Sequence, residues 1–224
     1  MSERDAYLEL REAIVSGRYM PNERLVEADL CGGFSLGRAA VRTALVRLEQ
    51  EGLVVRERHR GAKVRPVSLE EAVEIVEARA ALESLAARRA AESASDAQVE
   101  ELRGIVGRMQ TLYERGDLLA VSEQNARLHR RLLELSGHET AARLCATLAS
   151  QTVRHQFRTI LAPGRPERSL EEHTAIVEAV AAHDPRGAET AMRRHLSGVA
   201  DALRRRAASG DPPSRGAGGE MVPA

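Results

Sequence analysis

The sequence predicts a mainly α protein in two parts: three short helices closed by a small β-hairpin, then an antiparallel bundle of longer helices. Three observations lead there. Of 224 residues, 43% are hydrophobic but only 2% aromatic, and none is Trp. The core must therefore be built from Ala, Leu, Val and Ile, and the first two are strong helix formers. Apolar residues recur at helical spacing along most of the chain, and the period shortens to β-type runs only around residues 53–64. Capping residues then mark one helix start after another.

Residues 3–16 read as a first helix, with Tyr7, Leu8, Ile14 and Val15 partly on one face and Gly17 as its stop. Pro21-Asn22 makes a turn. Residues 23–31 read as a short second helix ending at Gly32-Gly33. Residues 38–51 form a third, in which Val41, Leu45 and Leu48 recur at helical spacing before Gly52. Leu53-Val54-Val55 and Ala62-Lys63-Val64 flank Arg58-His59-Arg60-Gly61 as a hairpin. After Pro66 only helices follow, expected at about 69–92, 96–115, 118–136, 139–161, 170–182 and 185–207. Ser68, Ser95 and Ser169, each three residues before Glu or Gln, fit capping boxes. Asp117 and Asp184-Pro185 are further N-cap candidates. Short connections between long helices imply antiparallel packing. The expected division is residues 1–67, 68–208, and a Gly-, Pro- and Ser-rich disordered tail, 209–224.

The formal net charge is zero, which argues against non-specific capture of nucleic acid by the whole chain but not against a local basic face. Residues 35–67 carry such a face, with seven Arg and one Lys against three Glu. Cys31 and Cys145 show no metal-finger or redox spacing and read as free thiols in a reducing compartment. No signal core or run of about 18 apolar residues occurs, so the chain is expected to be cytoplasmic, with no membrane partner.

Three helices followed by a two-stranded hairpin describe a winged helix-turn-helix, whose third helix enters the major groove of double-stranded DNA. Arg38 and Arg42 lie four apart at the start of that helix, and Ala39 and Ala40 between them let the backbone approach closely. Arg58, His59, Arg60 and Gly61 at the hairpin tip are placed to follow a phosphate strand or enter a minor groove. Residues 10–64 resemble the DNA-binding domain of the GntR regulators. The resemblance rests on Ile14, Gly17, Pro21, Leu25, Glu27, Arg38, Val41, Arg42, Ala44, Leu45, Leu48, Gly52-Leu53-Val54 and Arg60-Gly61. It implies that Arg38, Arg42 and the wing tip touch DNA. Two positions depart from the family's pattern. Gly37 stands where Ser or Thr is usual, and Gly32-Gly33 stand where the second helix usually continues with polar residues.

The helical part holds six of the seven histidines. Asn125 and His129 project from one helix face, and His173 and His195 lie on two later helices. Three imidazoles and an oxygen converging inside a bundle suit zinc and other late divalent metals, with positions open for a carboxylate or water. The spacing alone favours unrelated histidines over a metal site, and His138, His155 and His183 read as helix-end or surface residues. Residues 68–206 resemble the FCD domain of the FadR-type GntR subfamily. Arg79-Ala-Ala-Leu-Glu83, Leu128-His129-Arg-Arg-Leu-Leu, Ser136-Gly137, Glu172-His173 and Ala191-Met-Arg-Arg-His195-Leu196 carry it. That resemblance implies a divalent metal, zinc or nickel foremost, on His129, His173 and His195, with Asn125 in the place of the usual Asp. Arg79 then faces the cavity to pair an effector carboxylate, or else forms a surface or inter-helix salt bridge with a neighbouring Glu.

The resulting expectation is a ligand-responsive transcription regulator, foremost a repressor, and not an enzyme. It would bind a pseudo-palindromic operator as a homodimer and answer to a small organic acid. Three alternatives stand beside it: a regulator whose bundle only dimerises, a helical scaffold that no longer binds DNA, and a metal-dependent hydrolase. The last lacks an adjacent general base.

Overall fold

The computed structural model describes residues 3–57 and 61–208. The wing-tip residues Arg58, His59 and Arg60 and the expected tail, 209–224, lie outside them. Helix α1, Glu3–Val15, buries Ala6, Tyr7, Leu10, Ala13 and Ile14, whereas Leu8, expected on that face, is half exposed. Gly17, at φ +90°, ends the helix by turning the chain in a way a side chain would resist.

The next segment departs from the expected helix over 23–31. Arg24–Leu25 is a strand, β1, and helix α2 spans Glu27–Gly33. The physical reason lies in the wing. Strands β2, Val54–Glu57, and β3, Gly61–Val64, pair antiparallel with Val54 opposite Val64, and the free edge of β3 then takes β1 with Arg24 opposite Lys63. Leu25, 3% exposed, gains a place in the same core as Val54 and Val64. The wing is thus a three-stranded sheet of order β1-β3-β2. Helix α3, Arg38–Gln50, lies over it and buries Val41, Ala44, Leu45 and Leu48. Gly32 and Gly33 close the last turn of α2.

The bundle comprises α4, Leu69–Ser93; α5, Asp96–Glu114; α6, Leu118–Leu135; α7, Glu139–Ile160; α8, Arg165–Ala181; and α9, Pro185–Ala208. Ser95 forms a reciprocal capping box with Gln98, and Ser68 and Asp117 accept from backbone N–H groups three residues on. Ser169 does not act as a cap. Helix α8 begins five residues earlier than expected, because Pro166 favours the first helical turn and Gly164, at φ +70°, turns the chain into it. This places Arg165 and Ser169 on a helix rather than in a loop.

Helix α4 packs most extensively against α9. Its Ala72, Ala87, Ala90 and Ala91 are fully buried, so the two backbones approach closely around Met192, Leu196 and Leu203. Each such large side chain contributes about 1.5–3 kcal/mol by leaving water. Among the described residues no helix is long and apolar enough to cross a membrane.

Candidate metal centre and nucleic-acid interface

In the N-terminal part, Gly37 is the N-cap of α3 and offers no side-chain hydrogen bond. Arg38 and Arg42 follow on the exposed first turns. Arg42 is held by Glu27 of α2, Nε to Oε2 at 2.8 Å. Gly61, at φ +83°, is exposed where β3 begins. Lys63 is paired with Glu57 at 2.6 Å. An open groove of about 340 Å³ runs beside Arg24, Glu57 and Gly61–Lys63.

In the bundle, α6, α8 and α9 bring His129, His173 and His195 together, and one ring nitrogen of each lies within 4.8 Å of the others. The ring centroids are 4.4–5.5 Å apart. All three side chains are buried. Asn125, one turn before His129 on α6, lines the adjoining cavity of about 40 Å³ with Arg79, Arg165, Gln156, Thr159 and Ser169.

The hydrogen bonds behind the imidazoles decide what the cluster can do. His129 directs Nδ1 to Glu83 Oε2 at 2.5 Å, and His195 directs Nδ1 to Glu172 Oε2 at 2.9 Å. A carboxylate on Nδ1 fixes the tautomer and leaves Nε2 as a lone-pair donor. Both nitrogens of His173 are buried without a hydrogen-bond partner. Polar atoms left so at the centre of a bundle are costly unless something else satisfies them. Burial, then the neighbouring imidazoles, holds His173 and His195 well below the usual histidine range, in the neutral form that ligates metals. These residues therefore fit a divalent ion held by three imidazole nitrogens.

The carboxylates are anchored in turn. Glu83 accepts from Arg79 Nε at 2.7 Å, one turn away on α4. Burial alone would raise its carboxyl, but Arg79 and His129 more than offset this and hold it well below the usual carboxylate range. Glu172 accepts from Arg165 at 2.9 Å and from Arg168 at 3.1 Å. Arg79, 5% exposed, lines the cavity, and its salt bridge to Glu83 is buried and within α4 rather than at the surface or between helices. The other histidines serve structure: His138 caps α7, His183 bonds to the Ala91 carbonyl, and His155 Nε2 donates to the Val67 carbonyl.

Glu83, Glu172, Arg165, Gln156 and Thr159 escaped the sequence reading. A weak signal existed for the first two. Glu83 lies one helical turn from Arg79, and Glu172 directly precedes His173. Nothing in the sequence placed α7 against the cavity.

That helix also meets the N-terminal part. Gln151 Nε2 donates to the Glu51 carbonyl at 2.7 Å, and its Oε1 accepts from Arg65 at 2.8 Å. Arg154 bonds to the Tyr19 carbonyl. One turn further on, Gln156, Thr159 and Ile160 face the cavity.

Comparison with known proteins agrees with this architecture. The family described as bacterial regulatory proteins, gntR family, matches residues 3–64, and the FCD domain matches residues 74–198. The chain belongs to the GntR family of bacterial transcription regulators and carries an FCD effector-binding domain. It is 28% identical over 203 residues to an HTH-type transcriptional regulator in an unstable DNA locus of Streptomyces ambofaciens, covering 90% of this chain and 85% of that one. It is 26% identical over 198 residues to the HTH-type transcriptional repressor RspR of Escherichia coli, covering 88% and 87%. Among solved structures, E. coli McbR/YncC superposes with a TM-score of 0.79 at 19% identity, over 92% of this chain and 99% of that one. A GntR regulator from Rhodococcus gives 0.72 at 21% identity, over 91% and 97%. These domains and relatives indicate a regulator rather than an enzyme.

Proposed function

We propose that this regulator is a repressor that binds a pseudo-palindromic operator as a cytoplasmic homodimer. Its bundle, residues 68–208, senses a small organic acid through a divalent metal, zinc or nickel, held by His129, His173, His195 and Asn125. The observation that carries this reading is the pair of unsatisfied buried nitrogens of His173, set between two imidazoles already oriented by carboxylates. When bound, the ion acts as a Lewis acid with positions open to an anionic oxygen. Arg79 positions that anion from α4. Relatives named as repressors support the direction of regulation.

In the reader, residues 1–67, Arg38 and Arg42 address base edges or phosphates in the major groove. Arg58, His59, Arg60 and Gly61 address the backbone beside it. Helix α7 connects the two activities. Movement of its cavity-facing turn is passed to Gln151 and Arg154, which hold the reader. Ligand and DNA then change each other's affinity by the same factor.

The test is metal content of the purified full chain beside His173→Ala, with gel shifts on operator DNA. About one ion per chain, lost in the variant, is expected. A wild type that takes up neither zinc nor nickel on soaking refutes the metal centre. Operator affinity that never responds to a bound small acid refutes the coupling.

A further inference from the structure

The charge of the effector follows from the residues that would surround it, and the argument rests on the metal reading above. Every side chain offered to the ion is neutral: three imidazoles and the Asn125 amide. The two buried carboxylates nearby are already committed. Glu83 spends its oxygens on Arg79 and His129, and Glu172 spends its oxygens on Arg165, Arg168 and His195. Arg79 and Arg165, the two cations lining the cavity, are each matched by one of these carboxylates. Arg168 lies largely in solvent, 57% exposed in its side chain. The wall is therefore close to electroneutral before an ion enters. A divalent ion then leaves two positive charges that no group of the wall matches, beside buried imidazoles in a site only partly open to solvent, where an anion that supplies the counter-charge is favoured. The cavity is also small. Its volume of about 40 Å³ compares with roughly 10–15 Å³ on the same measure for one water. Beside the ion that space favours a compact ligand, which can extend past the mouth of the cavity toward solvent.

We propose that the effector is a compact dianion, either a two- or three-carbon dicarboxylate or a tetrahedral oxyanion such as phosphate, and that Asn125 sets this charge requirement. An Asp in its place would supply one negative charge next to the ion and shift the preference toward monoanions.

The zinc-loaded full chain is titrated with acetate, oxalate, malonate and inorganic phosphate, read by calorimetry and melting shift, at concentrations where metal analysis shows the ion retained. The dianions are expected to bind at least tenfold more tightly than acetate, and the ranking of oxalate and malonate against phosphate assigns the source. In Asn125→Asp the dianion-to-acetate ratio is expected to fall about tenfold while zinc affinity rises. Ser169→Asp adds a negative charge to the same wall from α8, and its ratio is expected to fall as well. Zinc bound with acetate favoured over every dianion overturns the charge inference alone. A ratio unchanged in both folded, zinc-loaded variants does the same. Absence of zinc from the wild type overturns the metal centre, and this inference with it.

Discussion

Replacing Glu83 separates the supporting layer of the proposed metal site from its packing. The carboxylate is 2% exposed and has two partners, Arg79 Nε at 2.7 Å and His129 Nδ1 at 2.5 Å. Glu83→Ala leaves a buried guanidinium without its counter-charge, and breaking a buried pair from one side costs about 3–5 kcal/mol. Because both partners are nearly inaccessible, solvent screening recovers little of that. Glu83→Gln keeps the volume and an acceptor oxygen for Arg79. What it removes is the charge that orients His129 and raises the basicity of Nε2. Loss of such a partner typically lowers metal affinity about 10–100-fold, or roughly 1.4–2.8 kcal/mol. Zinc affinity is measured at neutral pH by competition with a chromophoric chelator, and stability of the metal-free protein by urea unfolding. The expected pattern is a folded Glu83→Gln protein with weakened zinc binding, and a Glu83→Ala protein destabilised even without metal. A Glu83→Gln protein that folds and binds zinc with wild-type affinity would refute the claim that Glu83 prepares His129.

Three further outcomes follow from other parts of the molecule. Gln151→Ala removes two hydrogen bonds between α7 and the reader, and is expected to cost about 1–2 kcal/mol of stability and to reduce the effect of effector on operator affinity in gel shifts; full coupling in the variant would count against α7 as the link. The metal-free protein should lose stability in acid: His173 and His195 stay neutral when folded but take protons near their ordinary 6.5 when unfolded, so the unfolded state gains protons first. Its melting temperature is expected to fall from about pH 7 to about pH 5, less so in His173→Leu, and a flat profile would contradict the assignment. Cys145 is buried, and burial with the Glu83 charge nearby pushes its thiol up to about 12. A disulfide reagent should therefore label it only on unfolding, and rapid modification of Cys145 in the native protein would show the packing to be wrong.

The histidine cluster was legible in the sequence only in part. Asn125 and His129 share a face by helical spacing, but convergence with His173 and His195 depends on how α6, α8 and α9 cross, which spacing within one helix does not encode. The N-caps at Ser68 and Ser95 were readable because their chemistry is local, although only Ser95 completes the reciprocal box. At Ser169 the same local pattern misled, since Pro166 and Gly164 offered an earlier start. Strand β1 was unreadable for the opposite reason. Arg24 and Leu25 have no strand character of their own and become one only because β3 presents an unpaired edge. The roles of Glu83 and Glu172 emerge from tertiary pairing, although each stood beside a residue the sequence had singled out.

Arg65 has a consequence for how an operator would be measured. Its guanidinium donates to the Gly52 carbonyl and to Glu71 and Gln151, so one side chain rivets the wing, the first turn of the bundle and α7. Only Pro66 and Val67 separate it from the cap of α4, and Val67 is itself bonded by His155. A joint of this kind is a bracket rather than a swivel. In the proposed homodimer it would make each recognition helix move with its own bundle, so that α7 sets their span and rotational phase in each ligand state. Inserting about five base pairs, half a helical turn, would carry the second half-site to the far side of the duplex, beyond the reach of a bracket that does not bend.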